Sequence, residues 1–303
     1  MAQAAVLLST FNGERHLEEL LESLAGQSHP DVVLRIRDDG STDHTWELLN
    51  RFGRSFPNMH ITRGPNLGPA DSFLELIREV PASVDYFGFC DQDDVWDRDK
   101  VAVAVEHLEK YHNRPALYFS RLRITNEKLE TLRLSPLPQR PPGIANALAQ
   151  NIVTGCACAV NRPAIELLQA TLPPAGQIRM HDWWTYQVVS GTGDVIFDPE
   201  PRISYRQHAG NVIGHPGPLT RWRRRLARTR VRKGQLLRHA RLLRDQVSGY
   251  LASGEETLID EFIEVLSRAA TAPRLDYILK MPVYRQSGLD TLILRVLILL
   301  KLA

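Results

Sequence analysis

Asp91-Gln92-Asp93-Asp94 places three carboxylates in four positions, directly after the apolar run Tyr86–Cys90. In extended geometry Asp91 and Asp93 share a side. Carboxylates this close repel one another unless a cation neutralises them. Hard oxygen ligands of this kind suit Mg²⁺ or Mn²⁺, which keep several waters and bridge to substrate phosphates. The plainer reading is a solvated acidic turn that caps the next helix, with Asp97 and Asp99 in the same role. The aromatic strand leading in, and Val95-Trp96 leading out, favour the cation site.

Three other segments carry candidate chemistry. Asp38-Asp39-Gly40-Ser41-Thr42-Asp43 offers a carboxylate beside a glycine turn, suited to a nucleobase or ribose. The same segment reads as a helix cap through Ser41, Thr42 or Asp43, and both roles fit if Asp39 takes the ligand. In His181-Asp182-Trp183-Trp184, an aspartate between aromatic residues can have its pKa raised, as a general base needs. Two adjacent tryptophans suit a sugar face; a core aromatic pair at a helix start is the competing reading, and the stronger one for that segment alone. Tyr205-Arg206-Gln207-His208-Ala209-Gly210-Asn211 supplies an arginine able to pair with a diphosphate in bidentate fashion. Its His208 could ligate a metal or a phosphate, although a lone histidine is more often structural.

Elements that could position these residues alternate through the first half. Strand-like runs are Ala4–Ser9, Val32–Arg37, Met59–Thr62, Tyr86–Cys90 and Ala116–Ser120. Between them, Glu14–Ala25, Thr42–Phe52, Asp71–Val80 and Lys100–Tyr111 carry helical apolar stripes. That order predicts an α/β domain with a mostly parallel sheet. In such sheets ligands bind at the carboxyl ends of the strands. Polar residues follow the first, second and fourth strands, so three loops can converge on one ligand. The second half is less regular, with a strand within 151–161, a helix starting in 180–189 and one or two strands within 195–205.

The chain has 303 residues, 43% of them hydrophobic, and a net charge of +2. The charge is unevenly spread. Arg221–Arg244 holds ten arginines and one lysine without an acid, leaving the remainder net negative. A boundary is expected near 217, with a domain over 1–217 and a basic, leucine-rich helical extension over 218–303. Three cysteines, Cys90, Cys156 and Cys158, form neither a disulfide framework nor a zinc spacing, which fits a reducing cytoplasm. No signal peptide is expected, and no run reaches membrane-spanning length. The nearest, Leu292 to Ala303, is interrupted by Arg295 and Lys301 and reads as interfacial at most.

Taken in order, four segments resemble the family 2 glycosyltransferases of the GT-A fold, a Rossmann-like α/β architecture. They are Leu8-Ser9-Thr10-Phe11-Asn12-Gly13-Glu14, Asp38 to Asp43, Asn66-Leu67-Gly68, and Asp91 to Asp94. The agreement spans roughly residues 4–215. Asp-Gln-Asp-Asp-Val-Trp, His-Asp-Trp-Trp and Tyr-Arg-Gln-His-x-x-Asn look most like bacterial rhamnosyltransferases of that family. The resemblance implies that Ser9, Phe11 and Asp39 contact the nucleoside, with Thr10, Glu14, Asn66, Gly68 and Gln92 also on the donor side. It implies Asp91 at the ribose and metal-bound diphosphate, and Asp93 as direct ligand of Mg²⁺ or Mn²⁺. It places Asp182 as catalytic base, Arg206 or His208 near the diphosphate, with His208 also a candidate metal ligand, and Gly155, Trp183 and Trp184 toward the acceptor. Asp71 departs from the pattern, since relatives often carry a basic or amide residue there.

The implied reaction is inverting transfer of a sugar, L-rhamnose from its thymidine diphosphate, to a glycan or lipid-linked hydroxyl during cell-surface polysaccharide synthesis. A uridine diphosphate donor, a sugar nucleotidyltransferase and a non-catalytic carbohydrate-binding scaffold are the competing readings. Ser9–Arg15 lacks the Gly-rich basic loop of a nucleotidyltransferase, and Asp93 and Asp182 argue against a scaffold. A dehydrogenase would need G-x-G-x-x-G after the first strand. The basic stretch shows no nucleic-acid signature and suits an anionic membrane surface, on the inner face of the plasma membrane. The alternative is a helix packed on the domain by a stripe of Trp222, Leu226, Leu236, Ala240, Leu243 and Val247.

Overall fold

The computed structural model describes residues 2–207 and 234–267, and from the C-terminal stretch 275, 277, 278 and 280–301. Strand β1 (Ala4–Thr10) is apolar on both sides because both of its faces are covered. Ala4, Val6 and Leu8 enter one core cluster, and Ala5 and Leu7 the other. Around it assemble β2 (Val32–Asp38), β3 (Met59–Arg63), β4 (Tyr86–Cys90), β6 (Ala116–Ser120), β9 (Cys158–Asn161) and β10 (Asp194–Asp198). They form one seven-stranded sheet in the order β10-β6-β9-β4-β1-β2-β3. All pairings are parallel except those of β9, which runs antiparallel to both β4 and β6. The mostly parallel α/β sheet expected from the sequence is therefore present.

Helix α1 (Glu14–Ala25) buries Leu17, Leu20, Leu21 and Leu24 on one face of the sheet. Helix α3 (Pro69–Arg78) buries Phe73, Leu74, Leu76 and Ile77 on the other. Truncating a side chain such as Leu7, wholly buried in β1, to alanine would cost about 2–5 kcal/mol. Helix α2 (Thr45–Gly53) starts three residues later than expected. Asn12 Oδ1 takes the Thr42 N–H at 2.8 Å, and Asp43 takes that of Thr45 at 3.0 Å, so residues 42–44 serve as a loop. Helix α4 (Lys100–Leu108) follows the acidic turn.

A second sheet was not foreseen. Val95–Trp96 is a short strand, β5, paired with β11 (Ile203–Arg206). β11 in turn pairs with β7 (Arg123–Thr125), which pairs with the edge strand β8 (Thr131–Leu134). The sheet holds the far side of the acidic turn.

Beyond α5 (Ile144–Ala147) and α6 (Arg162–Ala170), helix α7 (His181–Thr192) is buried on nearly every face. The C-terminal helices α8 (Gln235–Val247), α9 (Ser253–Ser267) and α10 (Gly288–Leu299) pack into the same cluster as α3 and α7. Leu236, Ala240, Leu243 and Val247 face inward, as the stripe reading expects; Trp222 and Leu226 lie outside the described residues, as does position 217. No described helix is long and apolar enough to cross a membrane.

Candidate active site

The carboxyl ends of β1, β2 and β4 lie side by side in the sheet, bringing their three loops to one edge. Reversed strand β9 adds residues from its amino-terminal end, with Gly155–Ala157 immediately before it. Asp182 meets this edge from the first turn of α7. Its Oδ2 accepts the Gly155 N–H at 3.1 Å, and its Oδ1 accepts the Trp183 N–H at 2.6 Å. Burial pushes its pKa up to about 6, against the opposing pull of these N–H bonds and of the Asn151 side chain. A carboxylate so placed is largely ionised at neutral pH and still basic enough to take a proton.

Asp91 feels that carboxylate. Its own acidity is weakened by burial, then by the negative charges of Asp93 and Asp182. Asp94, fully buried, is pushed up by burial and by the charges of Asp93 and Asp91. Its Oδ1 accepts the Arg206 N–H at 3.1 Å, whereas Oδ2 is buried without a hydrogen bond, with the Cys156 sulfur close by. Ligand atoms of Asp91, Asp94 and Cys156 lie within 4.8 Å of one another. Burial, Asp94 and Asp91 all hold the Cys156 thiol protonated. The oxygen set, with its unrelieved repulsion and unpartnered oxygen, fits a hard divalent cation; the neutral thiol adds no ligand. This grouping differs from the expected pairing of Asp91 with Asp93. Asp93 is partly exposed and is held through its main chain, its carbonyl accepting Arg206 Nε at 2.9 Å.

On the donor side, Phe11 is 44% exposed. Gln92 grips its backbone twice, accepting the Phe11 N–H at 2.8 Å and donating to the Phe11 carbonyl at 3.0 Å. Ser9 Oγ meets Ser72 Oγ at 2.6 Å, and buried Thr10 donates to Asp38 at 3.1 Å. Glu14 accepts the His44 N–H at 2.9 Å and pairs with its ring, which holds the Glu14 carboxyl below its usual range and raises the His44 imidazole. Asn66 Oδ1 accepts the Gly68 N–H at 3.1 Å. Gly68 has φ +80°, a conformation that favours glycine.

Several expected roles need correction. Arg206 is 3% exposed and does not reach toward a diphosphate. Its guanidinium binds the Asp93 and Glu127 carbonyls and pairs with Glu19, because β11 aims it behind the acidic turn. Trp183 and Trp184 are no sugar platform. On a helix buried all round, Trp184 is wholly enclosed, and Trp183 donates to the Ala147 carbonyl at 2.7 Å. Asp39, 2% exposed, spends its oxygens on the Leu67 and Gly68 N–H groups at 2.9 and 2.8 Å and on Arg37. These bonds make Asp39 the organiser of the 64–68 loop. Asp71, the odd residue of that loop, binds the Gly176 N–H at 3.0 Å. His208 lies outside the described residues.

Residues 5–167, more than half of the chain, match the family described as Glycosyl transferase family 2. The chain is a family 2 glycosyltransferase. The glycosyltransferase is 28% identical over 228 residues to the dTDP-rhamnosyl transferase RfbG of Shigella flexneri, covering 68% of this chain and 73% of that one. Its fold, of the GT-A type, is similar to TarS of S. aureus solved with UDP (TM-score 0.58, 17% identity, 92% of this chain and 75% of that one). It is also similar to the mannosyltransferase PcManGT of Pyrobaculum calidifontis solved with GDP-Man and Mn²⁺ (TM-score 0.52, 16% identity, 99% of this chain and 85% of that one).

The glycosyltransferase contains supporting residues that sequence reasoning missed. Arg37, buried in β2, binds Asp39, Ser72 Oγ at 3.0 Å and the Pro65 carbonyl at 2.9 Å. An arginine inside a buried apolar strand was the available signal. Lys100, also buried, sets its ammonium 3.3 Å from the centroid of the Trp96 ring under the acidic turn. His181 lies between Phe73 and Phe89, tilted against the first ring at 3.9 Å and edge-on to the second at 4.5 Å. Burial pushes its pKa down to about 3, so it stays neutral beside the base.

Proposed function

We propose that this glycosyltransferase moves a sugar from a nucleoside diphosphate donor to a hydroxyl acceptor in a single inverting displacement, with Asp182 as base. The observation that carries the reading is the raised, hydrogen-bonded Asp182 carboxylate within electrostatic reach of Asp91. Asp182 accepts the acceptor proton as the acceptor oxygen attacks the anomeric carbon. The Gly155 and Trp183 N–H groups hold the carboxylate in orientation while it does so. Asp91, Asp93 and Asp94 are the residues to hold Mg²⁺ or Mn²⁺, which when bound offsets charge on the departing diphosphate. One base then suffices, because no covalent sugar intermediate is needed.

The donor proposed is the thymidine diphosphate of L-rhamnose, supported by the likeness to RfbG, and the acceptor a glycan or lipid-linked hydroxyl in surface polysaccharide synthesis. A thermal-shift series of nucleoside diphosphates and nucleotide sugars with Mn²⁺ tests this. Selective stabilisation by thymidine compounds is expected; a selective uridine response would overturn the donor assignment. Peripheral attachment to an anionic membrane is proposed from the basic segment 221–244 and from the exposed side of α10, where Leu289, Leu292, Val296 and Leu300 meet solvent.

A further inference from the structure

The side chain between the two acidic positions of the turn is better placed than its exposure suggests. Gln92 uses both ends of its amide on a single residue, Phe11, at the mouth of β1. The neighbouring backbone is fixed from the opposite side. The Asn12 N–H donates to Ser41 Oγ at 2.9 Å, and the Gly13 N–H donates to Thr45 Oγ1 at 2.8 Å. Asn12 sits at φ +48°, so this turn holds an uncommon conformation between its two supports.

Gly13 is shaped around the amide. A Cβ there would lie 2.4 Å from Gln92 Oε1 and 2.6 Å from Cδ. The Gly13 φ of −105° is open to any residue, so the one obstacle to a side chain there is the Gln92 amide, which it would displace. The bonds run between two places with different tasks. One is the Asp91–Asp94 turn, where repelling carboxylates fit a cation. The other is the exposed Phe11 ring, beside the loop that Asp39 and Arg37 organise. A cation that draws the carboxylates together must move or stiffen the turn, and Gln92 transmits that to the Phe11 backbone.

We infer that Gln92 is a positioning residue that couples cation binding at the acidic turn to nucleoside binding at Phe11, through its paired bonds to the Phe11 backbone. The inference rests on the donor and cation reading proposed above. Coupling between sites is a free energy and is reciprocal, so either ligand can report it. The diphosphate must be left out of the test, because it would touch the cation directly. A nucleoside without phosphates can sense the cation only through the protein.

The experiment measures thymidine and uridine affinity with and without saturating Mg²⁺ for the full chain and for Gln92→Met and Gly13→Ala. The first variant keeps the length of the side chain and loses both bonds. The second displaces the amide without altering Gln92. For the unsubstituted protein, Mg²⁺ is expected to change nucleoside affinity by about fivefold or more, and in both variants by less than about twofold. Circular dichroism establishes that the variants are folded. Phe-selective ¹⁵N labelling gives a readout free of variants, since the Phe11 amide should shift on adding Mg²⁺ alone. A silent Phe11 amide, or folded variants that keep the full Mg²⁺ effect, would overturn the inference. A protein that binds Mg²⁺ and nucleoside independently overturns the coupling and leaves the donor and cation reading standing. One that binds no Mg²⁺ overturns both.

Discussion

Asp182 and the Asp91–Asp94 turn lie close enough to feel each other's charge, yet their surroundings prepare them differently. Burial raises the pKa of both. Around Asp182, N–H donors from Gly155 and Trp183 oppose burial, and the result is a single carboxylate poised at about 6. Around Asp91 and Asp94 stand other carboxylates, which push in the same direction as burial. One centre is finished by the protein. The other is left with carboxylates that oppose one another's ionisation, a set that fits a cation. Burial alone does not separate a base from a cation site; the sign of the second largest influence does.

The sharpest way to break this comparison is Asp182→Asn, which keeps the shape and removes the base. Turnover should fall by about 10²–10⁴-fold, with donor affinity little changed, as steady-state kinetics and calorimetry would show. A loss confined to donor affinity would move Asp182 out of the catalytic role. Chelation comes next. Stripping divalent cations should abolish most activity, and Mg²⁺ or Mn²⁺ should restore it, whereas Asp93→Asn protein should need more cation for the same rate. Full activity in chelator would contradict the division of labour.

The pH dependence sharpens the comparison further. As Asp182 must be ionised to act, kcat/KM should rise with pH through about 6 and then level off. Stability should move the other way. Asp91 and Asp94 have folded-state pKa values raised above the unfolded ones, so the folded state holds more protons. The cluster therefore weakens the cation-free fold as pH rises from the ordinary aspartate range toward neutrality, and added Mg²⁺ should raise Tm more at pH 8 than at pH 5. A Tm gain from Mg²⁺ that is independent of pH would separate the cation from these carboxylates. Next in size is Arg206→Gln. It removes the guanidinium bonds to the Asp93 and Glu127 carbonyls, which sit on residues that water can reach, so the cost should be about 1 kcal/mol. Thermal unfolding should shift downward and cation affinity should weaken. The smallest effect expected is on lipid attachment, where flotation with anionic vesicles should separate the full chain from one ending at 217. Equal, negligible flotation of both would remove the membrane proposal.

Much of the fold was legible because apolar runs and helical stripes report burial directly. β1, β2, β4 and their helices fall within a few residues of where periodicity puts them. The second sheet was not legible, since a two-residue strand such as Val95–Trp96 has no period to read. For the site, residue types singled out the acidic turn and Asp182, and the structure brings these two separate segments within electrostatic reach through Asp91. What sequence could not supply was direction. Arg206 and Asp39 look like ligand contacts until their partners are known, and both turn inward to hold loops. Trp183 and Trp184 look like a platform until α7 proves to have no outer face. The resemblance put Gln92 on the donor side, but its grip on the Phe11 backbone shows only in the structure, as does the reason for Gly13.

The reversed strand β9 has a consequence for how such a molecule diversifies. Because it runs against its neighbours, its beginning, not its end, arrives beside the acidic turn, bringing Gly155 and Cys156 with it. The edge formed by Phe11, Asp39 and Gln92 comes from chain before residue 95, and Asp182 with its backbone support from Gly155 and Trp183 comes from chain after residue 150. The two blocks meet along the β4–β9 pairing, where α3 packs against α7 in the shared core, and where Arg206 holds the Asp93 carbonyl. An exchange of the block that carries Asp182 would therefore have to keep the β4–β9 register together with the core that α3 and α7 share, so the two blocks are free to vary at their loops and not at their seam.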